Sequence, residues 1–274
     1  MDIHTTVTLN NHIKIPQLGL GVYKSLEGEE AYNAVRWALE AGYRHIDTAA
    51  LYGNETSVGR ALRDCEIPRE EIFVTTKIWN TSMRDNRQEE AFNESLDKLG
   101  CGYIDLYLVH WPVAEKYRET WTILEKIYKS GSIRAIGVSN FNRRHIETLM
   151  ETAEITPAVN QIELHPLLSQ PELTAWCREK GIAVTAWSPL GQGNLLTHPL
   201  IISVAKSHNV GEAQIILRWH LQHGNIIIPK SIHKDRIIRN ADLYGFKLTA
   251  EEMSRIDSLN QNSRFGADPE TFDF

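Results

Sequence analysis

Eight short apolar runs alternate along this chain with longer stretches of helical periodicity, and that alternation restricts the fold more than any other feature. The runs cover residues 18–23, 45–48, 72–78, 104–110, 133–138, 158–164, 182–187 and 226–229. Several are nearly continuous and rich in β-branched residues, the pattern of parallel strands covered on both faces. Between them, residues 29–41 carry Ala31, Ala34, Val35, Ala38 and Leu39 at helical spacing and stop at Gly42. Residues 87–99 repeat the pattern with Ala91, Phe92, Ser95, Leu96 and Leu99 before Gly100. Residues 119–129 stop short of Gly131, and residues 171–180 stop at Gly181, with Pro171 suited to a first helical turn. A longer stretch, 200–222, divides near Asn209-Val210-Gly211, and 234–244 follows the eighth run. Ahead of all this, Val7 and Leu9, the turn residues Asn10-Asn11, then Ile13 and Ile15 predict a hairpin.

Eight strands alternating with helices form either a closed parallel barrel or an open doubly wound sheet. The strand count and the 274-residue length favour the (β/α)₈ TIM barrel, which typically needs about 250 residues in one domain. No Pro/Gly/Ser linker, charge block or low-complexity tract interrupts the pattern, so residues 1–274 are expected to form a single domain. The tail from Asn262 onward has little periodicity and leaves two readings open, a cover over the barrel mouth or partial disorder.

Composition narrows the partners. The formal net charge of −6 argues against nucleic acid or an anionic membrane as the main partner, while a local Lys/Arg cluster still permits a small anionic ligand. Cys65, Cys101 and Cys177 are odd in number and lack metal or CxxC spacing, which predicts reduced structural thiols. The first residues have neither the basic nor the apolar segment of a signal peptide, and no apolar run approaches the about 18 residues of a membrane span. A cytoplasmic protein is expected.

Active sites of such barrels sit at the C-terminal ends of the strands. The second run leads to Asp47 and then Tyr52, the third ends on Lys77 and Trp79, and the fourth on His110 and Trp111. A carboxylate, a phenol, an ammonium and an imidazole are therefore expected at one mouth. Each has an ordinary structural explanation alone: a cap, a packing ring, an ion-pair partner, a satisfied core imidazole. Together on three successive strands they fit proton delivery to a carbonyl oxygen. A free phenol, with a pKa of about 10, is too weak an acid near neutrality, and a neighbouring Lys⁺ is expected to lower it. The carboxylate would keep the lysine charged, and the imidazole would hold the carbonyl oxygen.

These residues resemble the aldo-keto reductase family. The likeness rests on the segment from Gly42 to Ala49 followed by Tyr52-Gly53-Asn54-Glu55, the fourth-strand segment from Ile104 to Pro112, Gly137-Val138-Ser139-Asn140-Phe141, and Ile228-Pro229-Lys230-Ser231 with Arg236 and Asn240. It is nearest to the prokaryotic 2,5-diketo-gluconate reductase-like and glyoxal (methylglyoxal) reductase-like members. The resemblance implies NADPH-dependent carbonyl reduction with Tyr52 as general acid, tuned by Lys77 and Asp47, and with His110 orienting the substrate. It also implies that Tyr23, Trp79 and Trp111 wall the pocket, and that the protein is a monomer acting on a small carbonyl compound.

The cofactor residues follow from the later strand ends. Gly19-x-Gly21, followed by Val22, lacks the third glycine of a dinucleotide fingerprint, and its expected role is to let backbone approach the nicotinamide. Ser139, Asn140 and Gln161 can hydrogen-bond a carboxamide, and Trp187 offers an indole face for stacking. Ser188, Pro189 and Leu190 begin a loop suited to the pyrophosphate. Lys230, Ser231 and Arg236 bring two cations and a hydroxyl to the start of the last helix, the place for a 2′-phosphate. Where many relatives carry an acidic residue before the asparagine of this motif, the chain has Arg239.

Three other readings compete. Lys77 could form a Schiff base in a lyase, against which the cofactor cluster argues. The chain could bind NADPH without catalysis, against which the complete tetrad argues. Glu163 and His165, two apart on one strand, share a face but are too few for a metal site, so no metal is expected.

Overall fold

Asn10 and Asn11 turn the chain between Thr6–Thr8 (β1) and Lys14–Pro16 (β2), an antiparallel pair in which Val7 lies opposite Ile15. The computed structural model describes residues 1–272. The hairpin plugs the bottom of the barrel: Leu9 and Ile15 are buried in one cluster with Phe73, Leu106, Leu108 and Ala158. The side-chain amides of Asn10 and Asn11 donate to the carbonyls of Pro157 (3.1 Å) and Arg134 (2.9 Å) in the bottom loops.

All eight apolar runs become strands of one parallel sheet. They are Leu20–Gly21 (β3), His45–Asp47 (β4), Phe73–Ile78 (β5), Ile104–Val109 (β6), Ile133–Ser139 (β7), Val159–Glu163 (β8), Ala183–Trp187 (β9) and Ile226–Ile227 (β10). Each pairs with its sequence neighbour, and the sheet curls until its ends meet. Parallel bridges between Leu18 and Ile227 and between Gly21 and Lys230 make the seam, with the Gly19 N–H donating to the Ile227 carbonyl at 2.8 Å. The barrel expected from the alternation is therefore observed. The seam also explains Gly21: a Cβ there would lie 2.8 Å from the Ile228 carbonyl oxygen. The crowding at this glycine comes from the barrel's own closure.

Helices wrap the outside: Glu29–Glu40 (α1), Glu55–Arg63 (α2), Asn80–Arg84 (α3), Gln88–Leu99 (α4), Tyr117–Lys129 (α5), Arg143–Met150 (α6), Pro171–Glu179 (α7), Pro199–His208 (α8), Glu212–Gln222 (α9), Lys234–Ala241 (α10) and Ala250–Asp257 (α11). The break within 200–222 falls where expected, at Asn209 in the left-handed conformation (φ 53°). Their inner faces form the main core with the outward strand residues, and side chains such as Phe92 and Leu99 contribute roughly 1.5–3 kcal/mol each.

Four helices lie outside the stretches that periodicity singled out. The inner face of α2 buries Val58, Ala61 and Leu62 beside Ser57 and Gly59, and it passes so close to α4 that a Cβ on Gly59 would stand 2.3 Å from the Leu99 carbonyl. The short α3 buries only Asn80 and Met83, and α6 only Ile146 and Leu149. In α11 a usable signal was present, the Thr249/Glu252 capping box, in which the Glu252 N–H donates to the Thr249 hydroxyl at 3.1 Å.

Among the described residues no helix is long and apolar enough to cross a membrane. Cys65, Cys101 and Cys177 are free thiols. The tail covers the mouth as far as it is described, and Asp273 and Phe274 lie outside the described residues.

Candidate active site

Because every barrel strand runs in the same direction, the residues that end the runs meet at one mouth. Asp47 closes β4, Lys77 is the penultimate residue of β5, and His110 follows β6. Tyr52 arrives by a short 3₁₀ turn, Ala50–Tyr52, after β4. The loop carrying it is pinned by buried Asn54, whose amide donates to the carbonyls of Val22 (2.9 Å) and Ser25 (3.0 Å) and accepts from the Thr48 hydroxyl at 2.8 Å. Sequence reasoning gave Asn54 and Thr48 no role in the site.

Lys77 and Asp47 are both buried, at 0% and 1% exposure, which makes their pairing obligatory. The Lys77 ammonium donates to Asp47 Oδ1 at 2.6 Å and to the Thr48 carbonyl at 2.7 Å. Burial pulls the lysine below its ordinary pKa, and the charge of Asp47 opposes that pull. The other carboxylate oxygen is held from across the barrel by the Gln161 amide at 2.7 Å. Gln161, expected at the carboxamide, thus has its NH₂ directed to Asp47.

Tyr52 departs from the sequence expectation. Lys77 lies over the Tyr52 ring, 5.2 Å from its centroid, and its charge is directed to Asp47. Burial, then the negative charge of Asp47, hold the phenol well above its ordinary pKa rather than below it. His110 is 6% exposed, and burial together with the charge of Lys77 takes its pKa well down, so the ring is neutral. Among the described residues its buried Nδ1 has no hydrogen-bond partner.

The aromatic rim is continuous on one side. Tyr23, exposed at the lip, lies 4.9 Å from Tyr52, Tyr52 5.8 Å from His110, and His110 5.1 Å from Trp79, all between ring centroids. Trp111 is placed differently: it is buried and stacks on Phe272 of the tail at 4.0 Å. Phe272 is thereby a rim residue that no periodicity in the tail signalled.

The remaining strand ends carry the residues expected at a cofactor. Ser139 donates to the Gln161 carbonyl at 2.9 Å. Asn140 sits in the left-handed region (φ 63°), donates to the His110 carbonyl at 3.0 Å and accepts from the Trp187 indole N–H at 2.8 Å. Val22 is fully buried and its N–H donates to the Asp47 carbonyl at 3.1 Å, so it supports the mouth from beneath. After β9 the chain turns at Ser188 (φ 46°), Pro189 offers its carbonyl to His220 Nε2 at 3.1 Å, and Leu190 is half-buried.

Lys230 and Arg236 are exposed near the start of α10, and Ser231 is buried beside them. Among the described residues no side chain caps α10 at His233, whose own N–H donates to the Ser231 hydroxyl at 3.1 Å, so the N–H groups of the first helical turn are open to an acceptor such as a phosphate. Asn240 is buried farther along the same helix, and Arg239 is exposed. The residues present therefore suit a phosphorylated dinucleotide, with cations and open N–H groups at α10 and an indole face at Trp187. Glu163 and His165 are placed against each other and against the tail. Among the described residues no cluster of three or more His, Cys, Asp or Glu is arranged to hold a metal ion.

Comparison with known proteins agrees with this architecture. The model of the aldo/keto reductase family matches residues 17–261. A glyoxal reductase of Bacillus subtilis is 50% identical, over 97% of this chain and 96% of its own. A 9,11-endoperoxide prostaglandin H2 reductase of Trypanosoma cruzi is also 50% identical, over 98% and 96%. Among solved structures, the aldo-keto reductase MGS-M4 from a deep-sea metagenome superposes with a TM-score of 0.94 at 44% identity, covering 98% of this chain and all of the other. A mutant of Gox0644 in complex with NADPH superposes with a TM-score of 0.94 at 40% identity, covering 99% of each chain. The chain belongs to the aldo/keto reductase family.

Proposed function

We propose that this chain reduces small aldehydes and ketones to alcohols with NADPH, as one oxidoreductase domain spanning residues 1–274. Its substrates are dicarbonyls such as methylglyoxal or keto-sugar acids such as 2,5-diketo-gluconate. The observation that carries the reading is the buried Lys77–Asp47 pair beneath Tyr52, with neutral His110 alongside. The named glyoxal reductase relative and the NADPH complex of a structural neighbour support it.

NADPH, when bound, supplies the hydride that reaches the carbonyl carbon. The chain's own residues handle the oxygen. Tyr52, kept protonated by its surroundings, is a ready proton donor for the alkoxide that develops. The raised phenol pKa keeps the proton on Tyr52 but makes it a weaker acid, so donation is downhill only to the more basic alkoxide that develops after hydride arrives. The neutral His110 ring contributes an N–H to orient the carbonyl oxygen without competing as an acid. Lys77 and Asp47 hold the phenol's surroundings fixed, so little rearrangement is needed during reaction. Tyr23 and Trp79 exclude water and present apolar walls to a small substrate. Trp187, Asn140 and Ser139 would hold the nicotinamide end of the cofactor, and Lys230, Ser231 and Arg236 its phosphate.

The test is NADPH consumption with methylglyoxal, 2,5-diketo-gluconate and a nitrobenzaldehyde, beside Tyr52→Phe. Turnover should fall by orders of magnitude in the variant while NADPH affinity stays near wild type. Survival of turnover would remove Tyr52 as donor. Borohydride trapping of substrate on Lys77 would instead indicate a Schiff-base mechanism.

A further inference from the structure

Trp187 is held at both ends, and only one hold belongs to the barrel. Its indole N–H donates to Asn140 Oδ1 at 2.8 Å. The opposite edge of the ring meets Gly266 in the C-terminal tail: a Cβ on that glycine would stand 2.4 Å from Cη2 and 3.2 Å from Cζ3 of Trp187. Gly266 does not occupy the left-handed region that favours glycine. What a side chain would lack there is space against a rigid ring.

The tail is fixed at this contact by one carboxylate. Glu163 is 1% exposed and lies beside Trp187 in the β8–β9 register. Its Oε1 accepts from the Phe265 N–H at 2.7 Å and from His165 Nε2 at 3.1 Å, and its Oε2 accepts from the Gly266 N–H at 3.1 Å. The Phe265 ring packs on the His165 imidazole at 5.0 Å between centroids. The Arg264 guanidinium lies 4.0 Å from Oε2 as well, and a buried carboxylate held by three hydrogen-bond donors is strongly directional, because displacing one leaves a lone pair unsatisfied away from water. Farther on, Glu270 pairs with Asn142 and Arg144. The segment after α11 is therefore tied down on both sides of the mouth.

We propose that Glu163 and Gly266 are positioning residues for the cofactor, forming a clamp that sets the plane of the Trp187 indole and through it the affinity for the nicotinamide half of NADPH. The inference rests on the reading of Trp187 as the stacking surface for that ring. Stacking falls off with ring displacement, so an indole pushed aside by a methyl group at position 266 would hold the nicotinamide less well. The carboxylate, buried yet kept below its ordinary pKa by the donors that oppose the cost of burial, remains charged as the clamp requires.

The experiment measures NADPH affinity by isothermal titration calorimetry for wild type, G266A, W187F, the double variant and E163Q, with steady-state kinetics beside it. G266A should weaken NADPH by about tenfold, with the loss appearing in the NADPH KM more than in kcat at saturating cofactor. In the W187F background, where the Cη2 and Cζ3 edge of the indole is gone, adding G266A should change affinity less than about twofold. E163Q keeps the side-chain shape and replaces an acceptor oxygen by a donor, and should weaken NADPH in the same direction. Equal losses from G266A in both backgrounds, or no loss in either G266A or E163Q, would overturn the clamp. Unchanged affinity in a further variant, W187A, which has no ring to stack, would overturn the stacking role of Trp187, and the clamp with it.

Discussion

The Gln161 side-chain amide reaches across the barrel to Asp47 Oδ2 at 2.7 Å, while Lys77 occupies Oδ1 of the same carboxylate at 2.6 Å. Strands β8 and β4 are not neighbours in the sheet, so this bond spans the barrel's interior. It ties the residue expected to face the nicotinamide to the ion pair beneath Tyr52, the proposed proton donor. Gln161→Ala should therefore lower kcat as well as weaken NADPH, because Asp47 loses one of its two side-chain partners. A steady-state comparison in which only the NADPH KM rises would show that the cross-barrel bond is irrelevant to turnover.

The Lys77–Asp47 pair also bears on folding. Both groups are out of water, so Lys77→Met leaves a buried carboxylate with Gln161 as its remaining side-chain partner. Removing one member of a buried pair costs about 3–5 kcal/mol. Urea unfolding of Lys77→Met should show a clear drop in midpoint, together with loss of turnover. The double variant Asp47→Asn/Lys77→Met should recover part of the stability, since no lone charge remains, and none of the activity. Full stability in Lys77→Met alone would contradict the pairing.

Acid should destabilise the fold through its buried histidines. Burial takes His45 down to about 4 and His220 to about 3, and it lowers His110 too, with Lys77 adding to the effect. In the unfolded chain each returns to about 6.5, so the unfolded state binds more protons on acidification. The contribution of neutral burial is fully present above pH about 6.5 and is lost as pH falls toward the folded values, by up to about 1.4 kcal/mol per pH unit for each site. Urea midpoints should fall between pH 7 and 5. Over pH about 6 to 9 the reduction rate should show no inflection from His110 or Tyr52, since one is held neutral and the other protonated.

The phosphate site proposed at α10 predicts a split between the two nicotinamide cofactors. Lys230 and Arg236 are exposed and flank an uncapped helix N-terminus. Arg236→Ala should weaken NADPH by about tenfold or more, the scale of a charge-assisted hydrogen bond, and leave NADH nearly unchanged. Added salt should weaken NADPH binding to wild type more than to the variant. Equal effects on both cofactors would move the 2′-phosphate away from this helix.

The local period of the chain determined the strands, most of the outer helices and the end of the barrel at which Asp47, Lys77 and His110 collect. That much was legible because parallel strands share one direction, so a run's last residues must lie at the mouth. Helices α2 and α6 escaped because their apolar stripes are short, Val58, Ala61 and Leu62 in one and Ile146 and Leu149 in the other, and the close approach of Gly59 to α4 cannot be read from one helix alone. The raised pKa of Tyr52 was decided by tertiary structure, since it depends on how deeply the ring lies and where the lysine's charge is directed. The same holds for Gln161 on Asp47, Phe272 on Trp111 and Gly266 on Trp187. Each of these joins residues far apart in the chain, and no periodicity encodes which side chains meet across a barrel or beneath a returning tail.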